Sequence, residues 1–365
     1  MKYLDAFRDP GAARALRARM AALGETLATA GRNVNVMEVC GTHTMAIARY
    51  GIRDVLPENV RLLSGPGCPV CVTEPGYVDA AVELARRGYG VATFGDMLNV
   101  PGSETTLARC RAEGAAVEVC YSPAAALELA QRERDREIVF LAVGFETTIP
   151  VFAAVLERAR SGAVGNLSLL PAFKCIPPAL RALRADPEIR IDGFLCPPHV
   201  SAIIGSRAYE PFAGPGGVPC VIAGFEPLDI LFGLVGILEQ LVAGEARVVN
   251  QYTRVVRPEG NQKAQDLIAR YFEPVDAAWR GLGVVPASGL RLRAEVADRD
   301  AARRAGIEVR AGREDPRCRC GDVIKAKCRP RDCALFGTAC TPDQPVGPCM
   351  VSSEGTCAAA FKYER

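Results

Sequence analysis

A chain of 365 residues, 49% hydrophobic and 24% charged, has ample apolar material for two or three cored globular domains. A formal net charge of +2 and an aromatic content of 6% leave no basic, aromatic-interleaved surface for nucleic acid, and none is expected as a partner. The greasiest stretch, 218–242, contains Glu226, Asp229 and Glu239, so it reads as a buried strand followed by a helix and not as a membrane span. Residues 1–23 carry arginines throughout in place of an apolar signal core, so a cytoplasmic, reducing location is expected.

Ala12, Leu16, Met20, Leu23 and Leu27 recur at helical spacing and predict a helix over 11–29. A regular beat follows. Strand-like runs at 34–39, 60–64, 90–94, 116–120, 138–143, 167–171, 191–196 and 218–223 alternate with helical patterns such as 77–87, 104–113, 124–134 and 150–161. This alternation defines βαβ units and a parallel sheet. The runs divide into two groups of four at the charged connector 131–137. The expected fold class is therefore α/β, with two similar lobes of parallel sheet flanked by helices, over 31–135 and 136–245. Residues 1–30 are expected to form a helix that packs on a C-terminal domain, 246–365, of mixed, mostly helical or loop structure. Helices are expected over 237–242 and 264–271, with a turn at Pro258-Glu259-Gly260-Asn261.

Ligands in open parallel sheets sit beyond the carboxyl ends of the strands, and the unusual residues of this chain fall there. The first strand runs into Cys40-Gly41-Thr42-His43-Thr44, which holds one of only two histidines. The second runs into Gly65-Pro66-Gly67-Cys68-Pro69-Val70-Cys71. Asp96, Glu146, His199 and Glu226 close other strands, so all of these residues are expected to border one cleft between the lobes. Cys68 and Cys71 form a C-x-x-C, close enough for a reversible disulfide; a structural or half-zinc pair is the alternative. Cys40 reads as a metal ligand or nucleophile, against an inert core thiol. His43 reads as a ligand, a proton shuttle or a structural hydrogen bond. Glu146 reads as a helix cap or as the binder of a partner or proton. Cys110, Cys120, Cys175, Cys196 and Cys220 lie in apolar contexts and read as core. Neither G-x-x-x-x-G-K-[ST] nor G-x-G-x-x-G is present, so no standard nucleotide site is supported.

Seven of the fifteen cysteines lie in the tail, at 318, 320, 328, 333, 340, 349 and 357. Prolines and glycines break any long helix there, and such a segment buries too little apolar area to order itself. Metal–thiolate bonds or disulfides supply that order. The wide spacings favour a Cys₄-held [4Fe–4S] cluster over paired zinc knuckles, with zinc and thiol or disulfide use as alternatives. The basic run 325–331 either offsets the charge of a cluster or is a solvated loop.

Taken together, Cys-Gly-Thr-His-Thr at 40–44, Gly-Pro-Gly-Cys-Pro-Val-Cys at 65–71 and Gly-Phe-Glu-Thr-Thr at 144–148 resemble the HypD family of hydrogenase maturation proteins. Cys-Pro-Pro-His-Val-Ser at 196–201, Gly-Phe-Glu-Pro-Leu-Asp at 224–229 and Gly-Pro-Cys-Met-Val-Ser-Ser-Glu-Gly at 347–355 belong to the same resemblance, which covers nearly the whole chain. It implies an assembly scaffold with redox activity, not a conventional turnover enzyme. On that scaffold the Fe(CN)₂CO group of [NiFe]-hydrogenase is built with the small chaperone HypC, and cyanide arrives from HypE. The resemblance implies that Cys40 ligates this iron with His43 beside it, and that Cys68 and Cys71 are a redox pair. The family's [4Fe–4S] ligand spacing of 14, 6 and 16 intervening residues fits Cys318, Cys333, Cys340 and Cys357. Cys320 and Cys349 are then a second thiol pair, and Cys328 is left over. The alternatives from other classes are an iron–sulfur thiol-disulfide reductase using the C-x-x-C pair, and a zinc-stapled interaction protein.

Overall fold

In the computed structural model, which describes residues 5–364, the expected beat is present and each strand is short. The first four positions of the N-terminal segment lie outside the described residues. In chain order the structure runs α1 (Pro10–Thr29), β1 (Val34–Glu38), α2 (Gly41–Arg49), β2 (Val60–Ser64), α3 (Pro75–Arg86) and β3 (Gly90–Thr93). It continues with α4 (Leu107–Ala112), β4 (Val117–Val119), α5 (Pro123–Arg132), β5 (Ile138–Gly144), α6 (Ile149–Ser161), β6 (Leu167–Lys174) and α7 (Ile176–Ala185). Then come β7 (Gly193–Cys196), α8 (Pro198–Ile204), β8 (Cys220–Ile222), α9 (Pro227–Ala243), β9 (Val248–Asn250) and α10 (Gln262–Tyr271). The last elements are β10 (Phe272–Trp279), β11 (Gly283–Leu292), α11 (Ala301–Ala305), α12 (Cys320–Ile324), α13 (Pro348–Val351) and α14 (Thr356–Tyr363).

Local chemistry explains the boundaries. The helices α3, α5, α6, α7, α8 and α9 all open with proline in the first turn, where its missing N–H has no intrahelical partner to lose. Asp9 caps α1 by accepting from the Ala12 amide at 2.6 Å. β5 is buried along its whole length and β6 nearly so, as expected of central parallel strands covered on both faces. No helix is long and apolar enough to cross a membrane among the described residues.

The strands form two sheets, one in the order β2-β1-β7-β8-β9 and the other β10-β11-β6-β5-β3-β4. The first is parallel throughout; in the second β3 to β6 are parallel, and the β10–β11 hairpin adds antiparallel to β6. The division of the strand runs at 131–137 is therefore not the division of the sheets. β1 and β2 share a sheet with β7, β8 and β9, while β3 to β6 build the other. The hydrophobic beat carries no information about lateral neighbours, so two consecutive groups of four were the simplest reading and the wrong one.

Two further expectations change. α1 packs on α9 and the helix-covered face of the first sheet, through Leu16, Met20, Leu23 and Leu27 against Leu231, Val235 and Leu238, and not on the C-terminal domain. Within the C-terminal part, expected to be mixed and mostly helical or loop, the 272–292 stretch is a β-hairpin whose tip residue Trp279 is fully buried and stacks on Phe145 at 6.0 Å.

Candidate functional site

The carboxyl ends of β1 and β2 meet directly. The Gly65 amide donates to the Glu38 carbonyl at 2.8 Å, and the Gly41 amide donates to the Gly67 carbonyl at 2.8 Å. Gly67 is required: a Cβ there would lie 2.2 Å from the Cys40 backbone nitrogen. This contact sets Cys40 at the N-cap of α2, beside the Cys68–Cys71 turn. Cys68 and Cys71 are joined by a disulfide, and the Cys71 amide points at the Cys68 sulfur from 3.2 Å.

Beneath Cys40 lies Glu38, which is fully buried. Its carboxylate accepts from the Thr44 hydroxyl at 2.5 Å and from the Cys40 amide at 3.1 Å. Burial pushes its pKa up to about 7 against these bonds. Burial, and then the Glu354 carboxylate, push the Cys40 thiol up to about 12. A bound metal cation reverses that preference by stabilising the thiolate. His43 is fully buried, and its Nε2–H donates to the carbonyls of Gly224 at 2.9 Å and Ala223 at 3.2 Å. Burial lowers its pKa to about 4, so the ring is neutral at pH 7, and Nδ1 has no hydrogen-bond partner among the described residues. The rings of His43 and His199 both rest on Phe225, with centroids 4.9 and 4.5 Å away.

The tail covers this turn. The Thr42 hydroxyl donates to Glu354 at 2.6 Å, and a Cβ on Gly41 would fall 2.5 Å from the Glu354 Cβ. Ser352 donates to Asp96 at the end of β3 at 2.7 Å, so the loop between α13 and α14 ties the two sheets together. The Cys71 sulfur lies 3.9 Å from the Pro348 carbonyl, next to Cys349.

The structure thus gathers Cys40, His43, Cys68, Cys71, His199 and, through Ser352, Asp96. Two expected cleft residues point elsewhere. Glu226 pairs with Arg8 at 2.6 Å. Glu146 is buried and caps α7, accepting from the Ile176 amide at 2.8 Å; burial raises its pKa to about 7, and its other oxygen has no hydrogen-bond partner among the described residues. Glu38 and Glu354 are site residues that the sequence analysis did not single out, although the quoted tail motif contains Glu354. Cys110, Cys120, Cys196 and Cys220 are buried, whereas Cys175 is half-buried.

In the tail, one cavity is walled by Cys318, Cys320, Cys333, Cys340, Cys349 and Cys357, with Val323, Leu335, Phe336 and Met350. Cys328 is not in its wall. A Cβ on Gly347 would lie 2.6 Å from the Cys318 sulfur, so the wall is shaped around the thiols. The Val346 amide donates to the Cys340 sulfur at 3.3 Å. The sulfurs of Cys320 and Cys349 are 2.8 Å apart. Hydrogen bonds from Cys318 and Cys349 hold the Cys320 thiol well below its ordinary value, with Arg280 adding to the effect. Among the described residues no three His, Cys, Asp or Glu side chains converge on a single-ion position. The donor set, thiols in an otherwise largely apolar wall, fits a soft iron–sulfur group.

Two sheets, one of them ending in the Cys40 and Cys68–Cys71 turns and tied to the other by a cysteine-walled tail, define the class: an α/β protein with a thiol-rich junction. Residues 14–364 match the family model HypD, described as the hydrogenase formation hypA family. The chain is 51% identical to the hydrogenase maturation factor HypD of Azotobacter vinelandii, across all of this chain and 97% of that protein. It is 45% identical to the HypD of Cupriavidus necator, across all of this chain and 98% of that protein. Against the HypD of Escherichia coli the identity is 42%, across all of this chain and 99% of that protein. The chain belongs to this family, and its role is in hydrogenase maturation.

Proposed function

We propose that the protein is a cytoplasmic, iron-binding redox scaffold on which the Fe(CN)₂CO group of [NiFe]-hydrogenase is assembled, together with a HypC-type chaperone and a HypE-type cyanide donor. The observation that carries this reading is the junction at Cys40. Its turn is hydrogen-bonded to the Cys68–Cys71 turn and covered by the tail loop bearing Cys349 and Glu354. Iron is the cargo, and the Cys40 thiolate holds it. A thiolate suits low-spin iron that gains strong-field ligands. Neutral His43, locked through Nε2, presents Nδ1 as an acceptor at the buried end of this turn. Glu354 and Thr42 close it from the tail side.

Cyanide release from a thiocyanate group on the partner requires two electrons. The Cys68–Cys71 dithiol supplies two, leaving as the disulfide. Cys320 and Cys349 are the second pair, positioned to restore the dithiol. Cys318, Cys333, Cys340 and Cys357 are the residues that would hold a [4Fe–4S] cluster, which supplies single electrons when bound.

The test is infrared spectroscopy of the anaerobic complex with the small chaperone. The parent complex is expected to show bands of iron-bound cyanide and CO. Cys40→Ala is expected to abolish them while the brown colour of the tail group remains; bands that survive the change would refute the ligand assignment. The adjacency of the disulfide and the Cys320–Cys349 pair favours one other reading, a thiol-disulfide reductase. That enzyme would turn over without the chaperone and tolerate Cys40→Ala.

A further inference from the structure

Arg280 is a buried cation that the scaffold reading leaves unused. It stands at the tip of the β10–β11 hairpin, with its side chain only 4% exposed. Its backbone amide donates to the Val72 carbonyl at 2.9 Å, and its Nε and Nη2 lie 3.3 and 3.2 Å from the Thr73 carbonyl. Val72 and Thr73 directly follow the Cys68–Cys71 turn. On the other side Nη1 pairs with Glu314 at 2.9 Å. The next residue, Gly281, is packed on Gly321, beside Cys320: a Cβ on Gly281 would fall 2.6 Å from the Gly321 carbonyl oxygen. The hairpin tip is therefore wedged between the end of the Cys68–Cys71 turn and the start of α12, which carries Cys320.

Burying a guanidinium carries a desolvation cost that a single ion pair to a partly exposed carboxylate does not recover. Packing alone does not require the charge, since the neighbouring tip residue Trp279 already fills the core. Thiol–disulfide exchange does use a positive charge. A thiolate attacks one sulfur and another thiolate leaves, so negative charge sits on sulfur throughout the transition state.

We propose that Arg280 is a positioning residue for exchange between the two pairs: it clamps the end of the Cys68–Cys71 turn to the helix bearing Cys320, and it places a buried positive charge between them. This rests on the reading that the tail pair reduces the strand-end pair. In that exchange the Cys320 and Cys349 thiols are oxidised to a disulfide. The Cys68–Cys71 bond breaks and is reduced to two thiols. Two electrons and two protons pass from one pair to the other, and nothing external is consumed. Glu314 is the opposing charge that tempers the guanidinium.

The experiment uses the full chain under anaerobic conditions, oxidised at both pairs and then reduced with thioredoxin. Samples are alkylated at intervals, and the appearance of Cys68 and Cys71 thiols is followed by peptide mass mapping. Arg280→Met is expected to slow that appearance about tenfold, and Arg280→Lys less than about threefold. Glu314→Gln is expected to match or exceed the parent, because it frees the guanidinium charge. A purely structural clamp would be loosened by either Arg280→Met or Glu314→Gln, so slowing by both overturns the proposal, as does Arg280→Met within about twofold of the parent. If Arg280→Met does not fold, the Glu314→Gln and Arg280→Lys rates decide on the same terms. Cys320→Ser separates the two levels. If it leaves the rate unchanged, the reading of the tail pair as reductant fails. If it slows the reaction while Arg280→Met does not, that reading stands and the role of Arg280 fails.

Discussion

Cys40 stands at the end of β1, a strand paired on both sides, and its turn is pinned by backbone hydrogen bonds to the Gly67 turn. Cys333 and Cys340 stand in a stretch of short turns, with one isolated bridge between Phe336 and Cys340 and a small apolar cluster around Leu335 and Met350. The first set of thiols is placed by a sheet that folds for its own reasons. The second is placed by local turn hydrogen bonds and that small cluster rather than by a sheet, and on the proposed reading metal–thiolate bonds would add to its order. The difference teaches that the strand-end turns are placed by a sheet whatever they bind, while the tail, on the proposed reading, would be completed by the group it holds.

The sharpest way to break this comparison is to remove a tail thiol. Cys357→Ser is expected to lose most of the bound iron and sulfide and to open 317–365 to trypsin, while the two lobes keep their circular dichroism and resist cleavage. Cys40→Ser and Cys328→Ser are expected to leave the sulfide, the cluster iron and the protease pattern of the tail intact, with Cys40→Ser losing only the cargo iron. A tail that stays resistant after losing its metal would mean that packing alone orders it.

A smaller effect follows from the glycines at the two sites. Gly67→Ala sets a methyl against the backbone of Cys40, which cannot yield without parting the two turns. A loss of about 3 kcal/mol in urea unfolding is expected. Gly347→Ala meets side chains and no backbone, the Cys318 sulfur at 2.6 Å and Cys320 from 3.4 Å, so its effect on lobe stability is expected to be under about 1 kcal/mol, with the loss appearing in iron retention. Equal losses in global stability would erase the distinction.

The smallest effect is in pH dependence, and it sharpens the strand-end side. Burial raises the pKa of Glu38 in the folded protein to about 7 from an ordinary value of 4.5. Its protonated form is the one that folding favours. The resulting stability is complete below pH 4.5 and is lost as pH rises through about 7. His43, lowered to about 4 from 6.5, works the other way: its contribution is complete above pH 6.5 and is lost as pH falls through 4. In Glu38→Gln the loss on the alkaline side is removed. The metal-free variant is expected to gain on the parent between pH 5 and 8, by at most about 3 kcal/mol in urea titrations. A difference that shrinks with rising pH would contradict the buried carboxyl.

Much of the fold was legible along the chain. The eight strand runs between 34 and 223 follow from apolar periodicity, and the helix starts from proline and capping residues. The hairpin of 272–292 was not legible. Its strands are largely exposed, Pro274 and Pro286 interrupt the apparent strand pattern, and the burial of Trp279 depends on Phe145 from another lobe element. Sheet membership was hidden for a different reason, since strand order depends on which faces pack and not on any local period.

The candidate site divides in the same way. The residue types at 40–44, 65–71 and 318–357 already called for thiol or metal chemistry, because soft ligands and a C-x-x-C announce themselves at short range. That Glu354 closes on Thr42 from 312 residues away is a tertiary fact, as are the meeting of Cys320 and Cys349 and the wedging of Arg280 between the end of the Cys68–Cys71 turn and the start of α12. Sequence fixes which side chains have the chemistry and how the backbone bends beside them. Which of them share a site is decided by long-range packing, where two sheets, a hairpin and a tail settle against one another to bury apolar surface and satisfy the polar groups between them.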